Sequence, residues 1–261
     1  MSTIALSFSN WNLLGAPIPA GVSNYVKLVS DPLFLLSFRN SLVYTLIFTP
    51  TGIILALTLA ILINGTTRLR EYYRVTYFLP VVTSVAAAAI LWKWLYQPSF
   101  GLINTILGLV GIAGPSWLND RNTALLAIGI MGLWQGLGFT ITIFLAGLQS
   151  IPPSLYEAAE IDGATKLQQV FRITVPLLRG TVLFVSVIGV AGAFQVFSEI
   201  FIMTKGGPAY ASSNLAYYLY VSAIQRFQMG YAAAIAMVIF AIVLLVTLAQ
   251  LKFFRQSEAD Y

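Results

Sequence analysis

Five long runs of this chain contain a single charged residue among them. They are Ser41–Ile63, Val75–Trp92, Asn122–Gly147, Gly180–Met203 and Phe227–Leu251, and Glu199 is the one charge. A helix needs about 20 apolar residues to cross a bilayer. Inside lipid the backbone must satisfy its own hydrogen bonds, so the choice is helix or closed barrel. The runs predict an all-α, polytopic transmembrane helix bundle with five spans. Composition agrees: 58% of the 261 residues are hydrophobic and 9% are charged, against about 25% charged in a soluble domain. Pro50 lies inside the first run, where neighbouring helices tolerate a kink. The absence of Cys and His excludes disulfides, thiol chemistry and His-based zinc or proton-relay sites. Met1–Asn10 lacks the basic start and long apolar core of a cleavable signal peptide.

Two further uncharged stretches are weaker. Leu102–Ala113 is apolar but short, and Pro208–Gln225 is rich in tyrosine. Both are expected to lie at the membrane interface, where aromatic rings are favoured.

Orientation follows from Lys and Arg. Loops Asn64–Arg74 and Gln149–Arg179 with the tail Lys252–Tyr261 hold Arg68, Arg70, Arg74, Lys166, Arg172, Arg179, Lys252 and Arg255. The opposite set holds Lys27, Arg39, Lys93, Arg121, Lys205 and Arg226. The first set is denser for its length, which places it and the C-terminus in the cytoplasm. The net charge of +5 then reads as loop retention, and no nucleic-acid partner is expected. Five spans put the N-terminus outside. Either five spans are the whole plan, or Ile4–Phe8 is the outer end of a missing first helix and residues 1–40 are that end plus an external loop.

The longest charged island lies between two spans, at Ser154–Pro176. Gln149–Pro153 ends a helix, because proline cannot continue the ladder. Ser154 and Glu157 have capping-box spacing, and Thr165 with Gln168 makes a second box. Glu157, Glu160 and Asp162 load the first short helix with negative charge, Glu157 being best placed for its dipole. Gly163 is the elbow, since glycine accepts a left-handed backbone most cheaply. A second helix is expected to reach about Thr174, limited by Pro176. Residues 149–179 thus form a helix-elbow-helix with a narrow turn at Ala158, Ala159 and Ala164. Such a unit is either a knob that docks into a groove of another protein or an amphipathic hairpin resting on lipid.

Glu157-Ala158-Ala159, then Gly163, then Ile173-Thr174-Val175-Pro176 resembles the EAA loop of binding-protein-dependent ABC transporter permeases. The one departure is Val175 where the pattern has leucine. Gly147–Pro152, Gly206–Pro208, and Phe8–Trp11 with Asn24 and Tyr25 are similar to the maltose-type carbohydrate branch, and the Gly-Gly-Pro to the first permease of the pair. The resemblance covers residues 1–261 as a single ABC permease transmembrane domain whose family core has six helices. It implies a multi-pass protein of the prokaryotic cytoplasmic (inner) membrane. Its implied partners are a second, different permease, two ABC ATPase subunits, an extracytoplasmic solute-binding protein, the lipid bilayer and a sugar-like substrate. Glu157, Ala158, Ala159, Asp162, Gly163 and Ala164 are implied to dock on the ATPase.

This chain has no G-x-x-x-x-G-K-[ST] loop, so no catalysis is expected of it. No cofactor is expected in it either, ATP and Mg being left to the partner subunits.

An acid inside a span is costly and is read as functional by default. Glu199 is either a substrate hydroxyl acceptor or gate partner, or a buried structural acid. Gln195, four residues earlier, is expected on its helical face. Similarity to the maltose-type permeases makes Trp134, Gln135, Phe139, Gln195 and Glu199 candidates for the substrate path. The other reading of this region is helix packing through Gly132 and Gly136. The expected function is the permease subunit of an ATP-driven importer for a sugar, oligosaccharide or related polyol. A secondary transporter would need midplane carboxylates and internal repeats, and a membrane scaffold would use the island only to recruit a cytosolic protein.

Overall fold

The computed structural model describes residues 3–65 and 70–259, with side chains for 3–65 and 76–253. Arg68 and the side chains of Arg70, Arg74 and Arg255, used above for orientation, lie outside the described residues.

The chain opens with a helical turn, α1 (Thr3–Ser7), and a two-stranded antiparallel ribbon, β1 (Ser9–Asn10) with β2 (Ile18–Pro19), in which Ser9 faces Pro19. Helix α2 (Ser23–Ser30) follows, then the long α3 (Pro32–Asn64). The apolar run expected at Val75–Trp92 is a broken pair, α4 (Arg70–Val82) and α5 (Val85–Leu95), sharply bent at Thr83–Ser84. The short α6 (Leu102–Leu109) precedes α7 (Ala124–Gln149). The charged island holds α8 (Pro153–Ile161), α9 (Lys166–Gln169), a π turn (Val170–Thr174) and α10 (Val175–Leu177). Then come α11 (Arg179–Phe194), α12 (Ser198–Met203), α13 (Leu215–Tyr220) with a π turn (Val221–Gln225), and α14 (Met229–Ala259).

Among the described residues, four stretches are long and apolar enough to cross a membrane, Pro32–Asn64, Ala124–Gln149, Arg179–Met203 and Met229–Phe253; the broken pair makes five. The spans are apolar all round, with Leu46, Ile54, Leu62, Phe240 and Leu245 exposed, as expected of helices that face lipid or another membrane chain.

The residues cluster into two compact units. One gathers the N-terminal segment to Phe48, Ser84–Gly132 and Val190–Val246. Its core packs Leu28 and Phe34 with Val190, Phe194, Leu215, Tyr218, Tyr231 and Ile235. The other gathers Thr49–Thr83, Leu133–Gly189 and the C-terminal segment from Thr247. Its core packs Ala56 and Ala60 of α3 with Ile141, Phe144 and Leu145 of α7, and with Leu178 and Val185.

Helix α3 begins nine residues before the run that predicts it. Asp31 caps it: its Oδ1 accepts from the backbone N–H of Leu33 (2.9 Å) and Phe34 (3.4 Å). Pro32 stands first in the helix, where no N–H is needed. The extra turns carry Ser37 and Asn40, spaced along one face with Ser41 at the start of the run.

Those turns correct the expectation for Pro208–Gln225. Its middle does not lie on the surface: Leu215, Tyr217, Tyr218, Val221, Ser222 and Ala223 are buried, while Tyr210 and Ile224 at its ends are exposed. The reason is polar pairing within its own unit. Asn40 Nδ2 donates to the carbonyls of Tyr210 (3.2 Å), Ala211 (3.0 Å) and Ser213 (2.9 Å). Ser37 and Ser213 hydroxyls meet at 2.9 Å, and Ser41 Oγ accepts from Leu215 N–H at 2.9 Å. Tyr217 and Tyr218 instead fill a core in which Ser37, Asn40, Ser41 and Ser213 are paired, while the Ser222 hydroxyl is buried with no hydrogen-bond partner among the described residues. Leu102–Leu109 keeps an exposed face, at Leu102, Ile106 and Leu109.

Candidate functional site

The charged island shows which of its two predicted caps matter. The Thr165 box forms: Thr165 Oγ1 accepts from Gln168 N–H (3.3 Å), and Gln168 Oε1 accepts from Thr165 N–H (2.8 Å). The Ser154–Glu157 box does not. Pro152 is the cap residue of α8 and Pro153 its first helical residue, with no side-chain cap bond. That places Ser154 inside the first turn, past the position from which a hydroxyl can cap. Two prolines without N–H groups leave fewer donors for it to satisfy.

Gly163 makes the elbow with φ +74°. Its N–H donates to Glu160 O (3.1 Å) and the Ala164 N–H to Ala159 O (2.8 Å). These two bonds are the Schellman closure of a helix end. Lys166 bridges to Glu160 across the elbow, and its hydrogen bond and charge hold that exposed carboxyl below the usual range. Tyr156 Oη lies 2.9 Å from Thr174 Oγ1 and ties α8 to the far side of the hairpin.

The second helix does not stop before Pro176. After α9 the backbone widens into the π turn, with Val175 N–H reaching back to Val170 O. Pro176 then sits within α10. A ring without an N–H removes one ladder bond, and the wide turn just before it accommodates the loss.

The island therefore holds its own shape and leaves its outer side open. Glu157, Ala158, Asp162 and Gly163 are exposed, and Ala159 and Ala164 are half-buried in the turn. Ile161 is 87% exposed, Leu167 68% and Phe171 66%, an apolar set that a solvated loop would not choose.

The path candidates divide between the units. Trp134, Gln135 and Phe139 fall in the second and Gln195 and Glu199 in the first. Trp134 and Gln135 are half-buried and Phe139 exposed. Gln135 Nε2 donates to Thr83 O (3.0 Å), the carbonyl at the break between α4 and α5. Gln195 and Glu199 do not share one continuous helical face as expected. The helix breaks after Phe194 and resumes at Ser198, leaving Gln195 exposed in a turn and Glu199 half-buried in the first turn of α12. The break frees Val196 O, which accepts from Asn214 Nδ2. The glycine reading also changes. A Cβ on Gly132 would press on Tyr44 Oη, one on Gly136 would meet nothing, and the close approach is at Gly138, against Tyr77 O.

Sequence reasoning passed over the clearest polar site of the first unit. Asp31 Oδ2 accepts from the hydroxyls of Tyr218 and Tyr231 (2.6 Å for the latter). Arg226 Nη1 donates to Tyr218 Oη (3.1 Å), and Lys27 Nζ lies 4.5 Å from the Tyr231 ring centre. Burial alone would raise the Asp31 carboxyl. The tyrosine hydroxyls and the Leu33 and Phe34 N–H groups outweigh it and hold the group below the ordinary carboxylate range. The available signal was Asp31-Pro32 ahead of an apolar run, a helix start read as loop.

The outer motif residues have a local reason as well. Asn24 Nδ2 donates to Ser7 O (3.0 Å) and Ser9 O (2.9 Å), Tyr25 Oη donates to Ser7 Oγ (2.7 Å), and Trp11 O accepts from Met229 N–H (2.9 Å).

Comparison with known proteins adds three likenesses. The family model for the binding-protein-dependent transport system inner membrane component matches residues 49–255. The probable ABC transporter permease YurN of Bacillus subtilis (strain 168) is 38% identical over 92% of this chain and 84% of its own. The sulfoquinovosyl glycerol transport system permease SmoG of Agrobacterium fabrum is 33% identical over 91% of this chain and 77% of its own. Among solved structures, a chain of a bacterial alginate ABC transporter, in complex with an alginate pentasaccharide-bound periplasmic protein, superimposes with a TM-score of 0.81. It is 25% identical and the match covers 88% of this chain and 81% of that one.

Proposed function

We propose, from the premise that the chain belongs to the binding-protein-dependent transport system inner membrane component family, that it lines the path of an ATP-driven importer for a glycoside or oligosaccharide. It is a permease subunit of a sugar ABC importer and a multi-pass membrane protein, and the family is a transporter component rather than a catalyst. The finer assignments rest on chemistry. Cargo named for the relatives, a sulfoquinovosyl glycerol and an alginate pentasaccharide, supports a hydroxyl-rich glycosidic substrate delivered by a binding protein.

The observation that carries the coupling role is the elbow at Gly163. It is a rigid, self-closed turn with exposed Glu157, Ala158 and Asp162 beside exposed Ile161. Small residues let a partner approach closely, and the apolar side chains supply area to bury. The partner is an ATPase subunit, two of which serve this chain and a second, different permease, and ATP and Mg reside there. Closure of the ATPase pair moves the elbow, and the bundle exchanges inward-open for outward-open states according to the affinity of each ligand for each state. The island and the C-terminus face the cytoplasm. Trp134, Gln135, Phe139, Gln195 and Glu199 serve as acceptors and aromatic faces toward cargo.

The test is co-purification of the tagged chain from detergent with an ATPase assay. Recovery of a second permease and an ATPase, lost on Glu157→Lys with Gly163→Asp, supports the reading. Recovery of the chain alone with no hydrolysis sinks it in favour of a carrier or scaffold.

A further inference from the structure

Helix α6 is held from one side and bare on the other. On the held side, Asn104 Nδ2 donates to the carbonyls of Pro98 (3.2 Å) and Pro115 (3.2 Å), and its Oδ1 accepts from Trp117 Nε1 (2.7 Å). Thr105 Oγ1 donates to Gly101 O (3.0 Å). A Cβ at Gly114 would run into the Asn104 amide, so a glycine there lets the hairpin close on it. On the other side Leu102, Ile106 and Leu109 recur at i, i+4 and i+7, which is one helical face. All three are exposed, Leu109 at 83%, and so are Phe100, Val110 and Ile112 to either side of them in the chain.

Bonds to the neighbouring spans fix the depth of this helix. The Trp117 ring lies 5.4 Å from the ring of Tyr96, and Tyr96 Oη donates to Ala127 O (3.0 Å). Tyr96 caps the end of α5, and Ala127 lies in the first turn of α7. Through Asn104 and Trp117, α6 is therefore tied to the level where one span ends and the next begins. Lys93 and Trp94 are exposed in the last turn of α5. Tryptophan and a snorkelling lysine are markers of the headgroup layer. Residues 94–119 carry no charge.

We infer that α6 is a foot in the bilayer, tethered by Asn104, with Leu102, Ile106 and Leu109 dipping into hydrocarbon at the membrane face where α5 ends and α7 begins. Lipid is the occupant because the depth is that of the headgroups and the face has no charged rim. A soluble partner that docks and leaves meets a polar rim around its apolar contacts, and residues 94–119 supply no charge for one. A helix with one apolar side is stabilised in the interface by the area it buries there. The foot sets the depth of α5 and α7, and it stands independently of the cargo and coupling proposed above.

The chain has no cysteine, so a single introduced one can carry a nitroxide. The test is the full chain with Ile106→Cys, labelled and reconstituted in vesicles of phosphatidylethanolamine and phosphatidylglycerol. Collisions of the label with oxygen, which concentrates in lipid, are compared with collisions with a water-soluble nickel chelate. Phe240→Cys, at an exposed position of α14, is the lipid reference. Lys166→Cys, exposed on the island, is the water reference. The Ile106 label is expected to side with Phe240, with nickel access several-fold below that at Lys166. Leu109→Cys repeats the reading should Ile106→Cys fold poorly. Adding Asn104→Ala is expected to loosen the foot, seen as faster label motion; an unchanged spectrum would overturn the tether. Nickel access equal to that at Lys166 overturns the foot and leaves a water-facing surface for a soluble partner. A label shielded from both reagents overturns it in favour of contact with a second copy of the chain. A lipid-like label that becomes shielded once a second permease assembles overturns it too, and gives the face to that subunit.

Discussion

The Asp31–Tyr218–Tyr231 cluster and the Gly163 elbow are both polar devices in a chain poor in polar residues, and they are built in opposite ways. In the first unit the polar atoms face inward and find partners far away in sequence, as Asn40 does with Tyr210, Ala211 and Ser213. Removing one leaves buried groups unpaired. In the island the bonds at Thr165–Gln168, Glu160–Gly163 and Ala159–Ala164 are local and join residues of the hairpin itself. They fix a shape and leave its outer side exposed. The first device holds a fold together; the second presents a surface to something else. Loss of the first should appear in stability, and loss of the second in transport.

Gly163→Pro tests that division most severely. Proline holds φ near about −65°, and the elbow requires +74°. ATP-driven uptake in proteoliposomes is expected to fall to background while the chain still elutes as an assembled membrane protein. Normal uptake would remove the island from coupling, and collapse of the bundle would erase the contrast.

Asn40→Ala should do the reverse. It removes the amide donor from the carbonyls of Ala211 and Ser213, while Tyr210 O keeps the Ser213 N–H; at about 1–3 kcal/mol for an unsatisfied buried group, the thermal midpoint in detergent should drop visibly. An unchanged midpoint would mean that the Pro208–Gln225 segment is held by packing alone.

Asp31→Asn is expected to cost less, on the order of 1–2 kcal/mol, because the amide keeps one acceptor and loses the charge-assisted bonds. The pH dependence has a definite sign. The folded carboxyl is held below its unfolded value of 3.8. Its contribution is therefore complete above that pH and is lost as pH falls through the lower folded value. The stability difference between the wild type and Asp31→Asn, followed by fluorescence, should be constant at neutral pH and close as pH falls below about 4. A difference that changes between pH 6 and 8, or that stays undiminished in acid, would locate the effect elsewhere.

Thr165→Ala should be smallest, about 1 kcal/mol for a lost cap, and confined to the hairpin. Amide exchange should quicken at Lys166–Gln169 with the bundle's midpoint unmoved. A global loss of stability would show the island to be part of the core.

How far the chain could be read without coordinates follows the same division. The spans were legible because uninterrupted apolar runs of about 20 residues suit only the helix in lipid, and the elbow because Gly163 and Thr165–Gln168 act over five or six residues. The family pattern at Glu157–Pro176 was legible for the same local reason. What failed was competition between neighbours. Ser154 has capping spacing, but the two prolines before it move the helix start past it. Gln195 and Glu199 have helical spacing, but the helix opens between them and Asn214 takes the freed carbonyl.

The apolar runs and the short-range caps were determined by sequence alone, because hydrocarbon length and hydrogen bonds between near neighbours depend on little else. Tertiary structure alone decided that α4 and α5 part at Thr83–Ser84, that Pro208–Gln225 turns inward, and that Asp31 finds two tyrosines some two hundred residues away. Each depends on a buried polar atom meeting a partner distant in the chain, and no local pattern specifies which partner arrives.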